Sequence, residues 1–408
     1  VSILYYAAKN ASNYYSLWST NGSASATVNV LTATQNFGST SPYGFTTLGD
    51  DVIFAAQDPT TYFAAWVSGG TGATTFELLS GQQGGYTLSP QDFVGVGGEA
   101  LFEGRDGDNR EAVFATAGVS GDPSVLLEFN KPLTRLQGFG AFAIASEASP
   151  AGGAEIWFTN GTSALTSLLY SQASFSDYDD DLFLVKAGAE AVLDATDASG
   201  SRGVFTVQGA TGAFAEVDPS QQGIYTLDPT ALVAAGDEAF FGGVGSNGRE
   251  GLWVVESGSA SEIYQNANNV ALAPTDLVAV GDDVVFEGDD ANGLASLFWS
   301  DGKSGGTVEL ATPVELESGK QGLYSLSPTQ TIIAGGRAFF LAVDSSGKVG
   351  VWSTDGAAAG TDELLSGQQG SYALNPQDLT VYGDKLAFIG MDSSHHYGVF
   401  VSDGTAAG

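Results

Sequence analysis

Apolar residues along this chain fall in short runs, alternating or unbroken, and Gly, Asp, Asn, Ser or Pro closes each run. The stretch from Asp276 to Ala311 is representative, with "DLVAVG", "DVVFEG", "SLFWS" and "TVELA" following one another. Runs this short, rich in Val, Phe, Tyr and Thr, predict β-strands, and nothing in them sustains the period of an amphipathic helix. Many runs are joined by Gly and then a small residue or Asp: "LGDDVIF", "VGGEALF", "AGAEAVL", "AGDEAFF", "VGDDVVF", "GGRAFF" and "YGDKLAF". Gly and Asp tolerate positive φ, so these joints are predicted tight β-hairpins.

The pattern is periodic. An apolar-aromatic doublet with a small or polar tail recurs as "LWSTNG", "AWVSGG", "VFATAG", "IWFTNG", "VFTVQG", "LWVVESG", "LFWSDG", "VWSTDG" and "VFVSDG". Its aromatic positions are Trp18, Trp66, Phe114, Trp157, Phe205, Trp253, Phe298, Trp352 and Phe400, 43 to 54 residues apart and most often 48. Four strands in such a period describe a propeller blade. One sheet cannot bury both its faces, so neighbouring sheets must stack, and the recurrent aromatic is expected to pack between them. The first repeat, Val1 to Val30, lacks the first strand of the four, and the last, Asp378 to Gly408, lacks the fourth. The prediction is therefore an all-β fold: a β-propeller of about eight four-stranded blades, residues 1–408 forming a single domain. Nine blades, or an open array continuing beyond these residues, are the alternatives. A first residue that is not Met, and a last phrase "SDGTAAG" that elsewhere runs on into Thr ("TDGAAAGTDELL"), are expected of a window on a longer polypeptide.

Charge narrows the partners. Asp and Glu number 47 against 13 Lys and Arg, a formal net charge of -34. Such a field repels phosphate backbones and anionic headgroups, so neither nucleic acid nor direct membrane insertion is expected. The chain has no cysteine, which removes disulfides, thiolate metal sites and Cys nucleophiles together.

Within the repeats, "VDSSGKVGVWSTDGAAAGTDELL" from Val343, "MDSSHHYGVFVSDGTAAG" from Met391 and "GSNGREGLWVVESG" from Gly245 share one phrase. The chain resembles the ELWxxDGT-repeat family, whose units read approximately D-x-x-G-x-E-L-W-x-S-D-G-T-x-x-G-T. The resemblance covers essentially the whole chain and weakens toward the N-terminus. "TAGVSGDPSVL" from Thr116 and "ESGSASEIY" from Glu256 lose the DGT phrase, along with any ligand it would hold. What the resemblance implies is a propeller-like fold in a large secreted or surface-associated bacterial protein, extracellular or at the cell surface, with no common catalytic activity.

Two sets of loops could carry chemistry. Connections between second and third strands are acidic, and Asp106, Asp108 and Glu111 in "RDGDNREAVF" form the best oxygen set for calcium. The competing reading is that an Asp opening a turn satisfies its own backbone. Connections from fourth to first strands carry a near-duplicated phrase, "ELLSGQQGGYTLSPQDFVGVGG" from Glu77 and "ELLSGQQGSYALNPQDLTVYGD" from Glu363. Stiff duplicated loops explain it structurally. As a binding site, Gln82, Gln83, Tyr86, Gln221, Gln222, Tyr225, Gln321, Tyr324, Gln368, Gln369 and Tyr372 would offer amides and ring faces to a glycan. His395 and His396 are adjacent and make a poor metal pair. No hydrolase elbow, zinc helix or phosphate loop appears. The sequence thus leads to the expectation of a non-enzymatic structural or adhesive module that self-associates or binds other surface proteins, with calcium as the one candidate cofactor. The alternatives are a carbohydrate-binding propeller and a glycoside hydrolase-like enzyme using two carboxylates.

Overall fold

The computed structural model describes residues 3–31, 39–119, 121, 123–129, 131–148, 154–171, 184–197, 199–218, 221–266, 269–303, 308–311, 326–357 and 360–405. Within them the chain is a β-propeller fold of successive antiparallel sheets, each built from consecutive strands in sequence order. The first sheet has three strands, Leu4–Lys9, Tyr15–Thr20 and Val28–Leu31. Seven four-stranded sheets follow, and a last one of three strands comprises Gln377–Tyr382, Lys385–Met391 and Tyr397–Ser402. The representative repeat resolves as predicted, into Thr275–Val280, Asp283–Asp289, Ala295–Ser300 and Val308–Ala311. The chain divides into two compact units, Val1–Asp181 with Gln208–Ala213, and Leu182–Val207 with Phe214–Gly408.

Each sheet is pinned by the same local devices. The hairpin between first and second strands turns on a left-handed Gly, as at Gly49, Gly236, Gly281 and Gly383. The first strand opens with a bulge in nearly every repeat, for example between Thr275 and Val278 or Gln377 and Thr380. The recurrent aromatic pairs with a second-strand partner: Phe102 stacks on Phe114, Phe286 on Phe298, Phe340 on Trp352 and Phe388 on Phe400. Where that aromatic is Trp18, Trp66, Trp253 or Trp352, its indole N–H donates to the second-strand carbonyl of Ala8, Ala56, Gly243 or Ala342. Packing the ring in those four repeats therefore leaves its one polar atom bonded, whereas the Trp157 indole nitrogen is buried without a partner.

The DGT phrase is a turn as well. Asp403 Oδ1 accepts from the Thr405 N–H (3.0 Å) and hydroxyl (2.8 Å), while the Gly404 N–H reaches back to Ser402 Oγ (3.1 Å). The same hydroxyl-to-Gly bond closes Gly22, Gly70, Gly118, Gly161, Gly302 and Gly356. A second bond at these glycines links sheets: Ser353 Oγ donates to Gly404 O and Ser19 Oγ to Gly70 O, each bond reaching into the next sheet.

Candidate functional site

The two candidate loop sets lie against each other, and the bonds between them decide what each can do. In the connection from second to third strand, Asp Oδ1 accepts two backbone N–H groups, those of the second and fourth residues after it. Asp58 holds Thr60 and Tyr62, Asp106 holds Asp108 and Arg110, Asp290 holds Asn292 and Leu294, Asp344 holds Ser346 and Lys348, and Asp392 holds Ser394 and His396. In two of the five the other oxygen reaches the loop that leads to the next sheet. Asp58 Oδ2 accepts the Gly81 N–H at 3.2 Å, and Asp344 Oδ2 accepts the Gly367 N–H at 2.8 Å and the Ser366 hydroxyl at 2.7 Å. Burial alone would raise the Asp344 carboxyl; the bonds from Ser346, Ser366 and Lys348 outweigh it and hold the pKa below the ordinary value.

This geometry shows what the calcium candidates bond to. Asp106 spends one oxygen on its own turn, Asp108 is held by Arg110 at 2.7 Å, and Glu111 by Arg105 at 2.8 Å. Arg110 also pairs with Glu128. Each carboxylate of the set is thus engaged by a turn amide or a guanidinium. Among the described residues no group of three or more Asp, Glu or His is placed to hold a metal ion.

The "SGQQG" phrase is a miniature hairpin rather than an open loop, with Gln82–Gln83 paired to Tyr86–Thr87 and Gln368–Gln369 to Tyr372–Ala373; Gln221–Gln222 pairs likewise with Tyr225–Thr226. Its amides are spent internally. Gln83 Nε2 donates to Ser80 O and Gln369 Nε2 to Ser366 O, both at 2.7 Å, and Gln368 Nε2 bonds Gly370 O at 2.7 Å. Gln82 Nε2 makes a longer approach to Gly84 O at 3.5 Å. The amides that were expected to face a ligand therefore close the hairpin. Gln321 and Tyr324 lie outside the described residues, as does the side chain of Gln221.

The tyrosines behave differently. Tyr86, Tyr225 and Tyr372 are 44%, 39% and 39% exposed, and Ile224 beside one of them is 86% exposed. Two of the three rings are nonetheless seated. Tyr372 stacks on His395 at 4.3 Å with planes 2° apart. Tyr225 lies over Gly248, where a Cβ would stand 2.4 Å from the ring, and φ there is +77°. Only Gly fits that turn position under the ring. These hairpins thus hold Tyr225 and Tyr372 with one face on a neighbouring turn and the rest in solvent.

One element escaped the sequence reading. After each tyrosine comes a Leu that is fully buried: Leu88, Leu227 and Leu374, with Leu272 and Leu326 at the corresponding places in other repeats. Its side chain enters the gap left by a second-strand Gly, Leu88 at Gly104, Leu227 at Gly243, Leu272 at Gly288 and Leu374 at Gly390, all within about van der Waals reach of a Cβ that is absent. The residue that follows Leu and precedes Pro is left-handed in each case: Ser89, Asp228, Ala273, Ser327 and Asn375. The sequence signal was the tripeptide Leu-X-Pro set against a Gly one strand later.

No protein-family model matches the sequence, and no curated protein is similar to it. Among solved structures, the fold is similar to the β-propeller domain of the Trilobed protease from Pyrococcus furiosus, at 9% identity over 89% of this chain and 95% of that one, with a TM-score of 0.33. It is similar also to an acylaminoacyl peptidase from Pyrococcus horikoshii (8% identity, 89% of this chain and 51% of that one, TM-score 0.34). A third is a puromycin-hydrolyzing peptidase from Mycobacterium tuberculosis (14% identity, 86% and 58%, TM-score 0.35). The chain spans 51% and 58% of the length of those two peptidases, and at such identities the likeness is one of fold.

These neighbours overturn the functional expectation drawn from the sequence. A purely structural or adhesive, non-enzymatic module was expected because the motif search found no hydrolase machinery. The similar propellers instead belong to peptidases, so this architecture is no ground for excluding an enzyme.

Proposed function

We propose that the chain is a recognition propeller in a peptidase-associated setting, and that its ligand is an extended, basic polypeptide held at the hairpin tyrosines of the second unit. The observation that carries the reading is the display of Tyr225 and Tyr372, each partly exposed on a hairpin closed by its own backbone and, at Gln369, by a glutamine amide. Pre-set aromatic faces bind without ordering cost, and Lys or Arg stacks favourably on them. The net charge of -34 adds a field that draws cationic chains and repels acidic ones.

The test is titration with a Lys/Arg-rich peptide, an acidic peptide of equal length and an oligosaccharide. The basic peptide is expected to bind, with affinity falling as salt rises. Replacing Tyr225 and Tyr372 together by Ala should weaken it by about tenfold or more. Equal binding of the acidic peptide, or no loss in the double variant, would sink the reading.

A further inference from the structure

In an antiparallel sheet of four strands, the first-to-second and third-to-fourth connections lie at one end. At that end the residue opening a second strand meets the glycine of the next sheet's third-to-fourth connection. A Cβ on Gly161 would stand 3.3 Å from the Glu99 carboxylate, one on Gly404 would stand 2.8 Å from Arg337 Cδ, and one on Gly302 would fall on the Glu238 carboxylate. The sheet of Trp253 departs from this pattern. By strand register Val255 stands where Ser300 and Ser402 accept the glycine N–H, and Ser257 stands in the place of Gly302 and Gly404. With neither partner of that bond present, the connection contracts. Glu256 pairs with Ser259, and Ser257 and Gly258, at φ +49° and +75°, make a tight turn between them. In the sheet of Trp352, by contrast, the last pair is Ser353 with Asp362.

Beside the contracted turn lies a cavity of about 460 Å³, wholly within the second unit. Ala187 and Val255, both buried, give it an apolar side, and Ser257 adds a hydroxyl. Its charged lining, Glu190 and Asp237, is anionic. Glu190 opens its second strand as Glu238 does, so the cavity takes the place that a longer connection fills one repeat on. Asp237 comes from the neighbouring hairpin and lies over Gly188: a Cβ there would stand 3.0 Å from its Oδ1, and φ is +56°. The glycine thus makes room for the carboxylate beside Glu190's turn.

We infer that this cavity binds an alkylguanidinium, the group an arginine side chain or a small guanidino compound carries. A planar guanidinium has donors enough for Glu190, Asp237 and Ser257 together, and its alkyl stem finds Ala187 and Val255. An apolar surface with a few convergent polar groups, at this volume, is the make-up of a small-molecule site. Calcium asks for six or more oxygens in a cage, which an apolar side does not supply. The loss of the DGT phrase at Glu256 therefore opens a site. Tyr225 and Tyr372 lie on connections at the other end of the sheets, so this inference is independent of the polypeptide-binding reading.

Calorimetric titration of the full chain with n-butylguanidine tests it, and one saturable site is expected. Glu190→Gln and Asp237→Asn should each weaken binding by about tenfold, the worth of one charge-assisted hydrogen bond. Asp282→Asn removes the same charge from the corresponding hairpin one repeat on, outside the cavity, and should leave the affinity unchanged. Neutral n-butylurea should bind at least about tenfold more weakly than n-butylguanidine, and calcium chloride should not displace the latter. A peptide with one central arginine separates the sources: binding equal to n-butylguanidine assigns the cavity to side chains, exclusion assigns it to free small molecules, and both uphold it. Absence of saturable binding, no loss in Glu190→Gln and Asp237→Asn, an equal loss in Asp282→Asn, or displacement by calcium would overturn the inference.

Discussion

At the scale of single residues, the repeated Asp and Leu carry most of the local order. Asp344 is the clearest case, because one oxygen serves its own turn and the other serves Ser366 and Gly367. Asp344→Asn would point an amide donor at two donors, and about 1 to 3 kcal/mol of stability should be lost in urea melts. Asp392 uses a single oxygen for its turn, so Asp392→Asn should cost much less in the same assay. Leu374→Ala empties the gap beside Gly390, and large-to-small replacement at a closed site predicts a loss of about 2 to 5 kcal/mol. Equal urea midpoints for Leu374→Ala and wild type would show that the Leu does not lock the loop.

At the scale of elements, the four-stranded repeat was legible in the sequence because its determinants are local: a strand-length apolar run, a Gly turn and an aromatic every 48 residues or so. The miniature hairpins were not, since two-residue strands show no alternation and a glutamine in a sequence does not show which way its amide points. The acidic turns are ambiguous for the same reason. Asp106, Asp108 and Glu111 have the composition of a calcium loop, and only the structure shows that Arg110 and Arg105, written in the same phrase, pair with Asp108 and Glu111. The leucine plug was hidden because one apolar residue between Thr and Ser, as at Leu88, looks like loop rather than core. A consequence at this scale concerns Tyr372, which joins its hairpin to the turn bearing His395. Tyr372→Ala should destabilise by about 0.5 to 1.5 kcal/mol, an aromatic pair's worth, and His395→Ala should add little further once Tyr372 is gone. Additive losses in that double-mutant cycle would deny the coupling.

At the scale of the whole molecule, acidity acts through two opposed sets of carboxylates. Burial raises Glu77, Glu103, Glu262 and Glu287 above the ordinary carboxylate value, with bonds from Gln91 and the Leu133 N–H resisting at Glu103. A raised folded-state pKa contributes stability that is fully present below the unfolded value and lost as pH rises through the folded one. Asp344 and Asp392 are lowered, the latter chiefly by the His396 N–H, and their contribution is present above the unfolded value and lost as pH falls through the folded one. Melting temperature should therefore climb from neutrality toward about pH 5 and fall below about pH 4, with relief of the -34 charge adding to the climb. Glu103→Gln should flatten the upper slope; an unchanged slope would locate the effect in net charge alone.

The bond from an Asp turn to the Gly 23 residues later also says how such a chain can be shortened or lengthened. Asp58 and Gly81 stand in the same relation as Asp344 and Gly367, and both glycines sit in the same written phrase. The exchangeable piece is thus bounded by hairpins and not by sheets: a crossover inside "ELLSGQQG" hands every turn a correct partner, whereas a cut just before a first strand carries the whole hairpin across and leaves none misplaced only if the preceding turn is its match. The two copies are spare parts for each other, which is reason enough for the spelling to have stayed nearly the same.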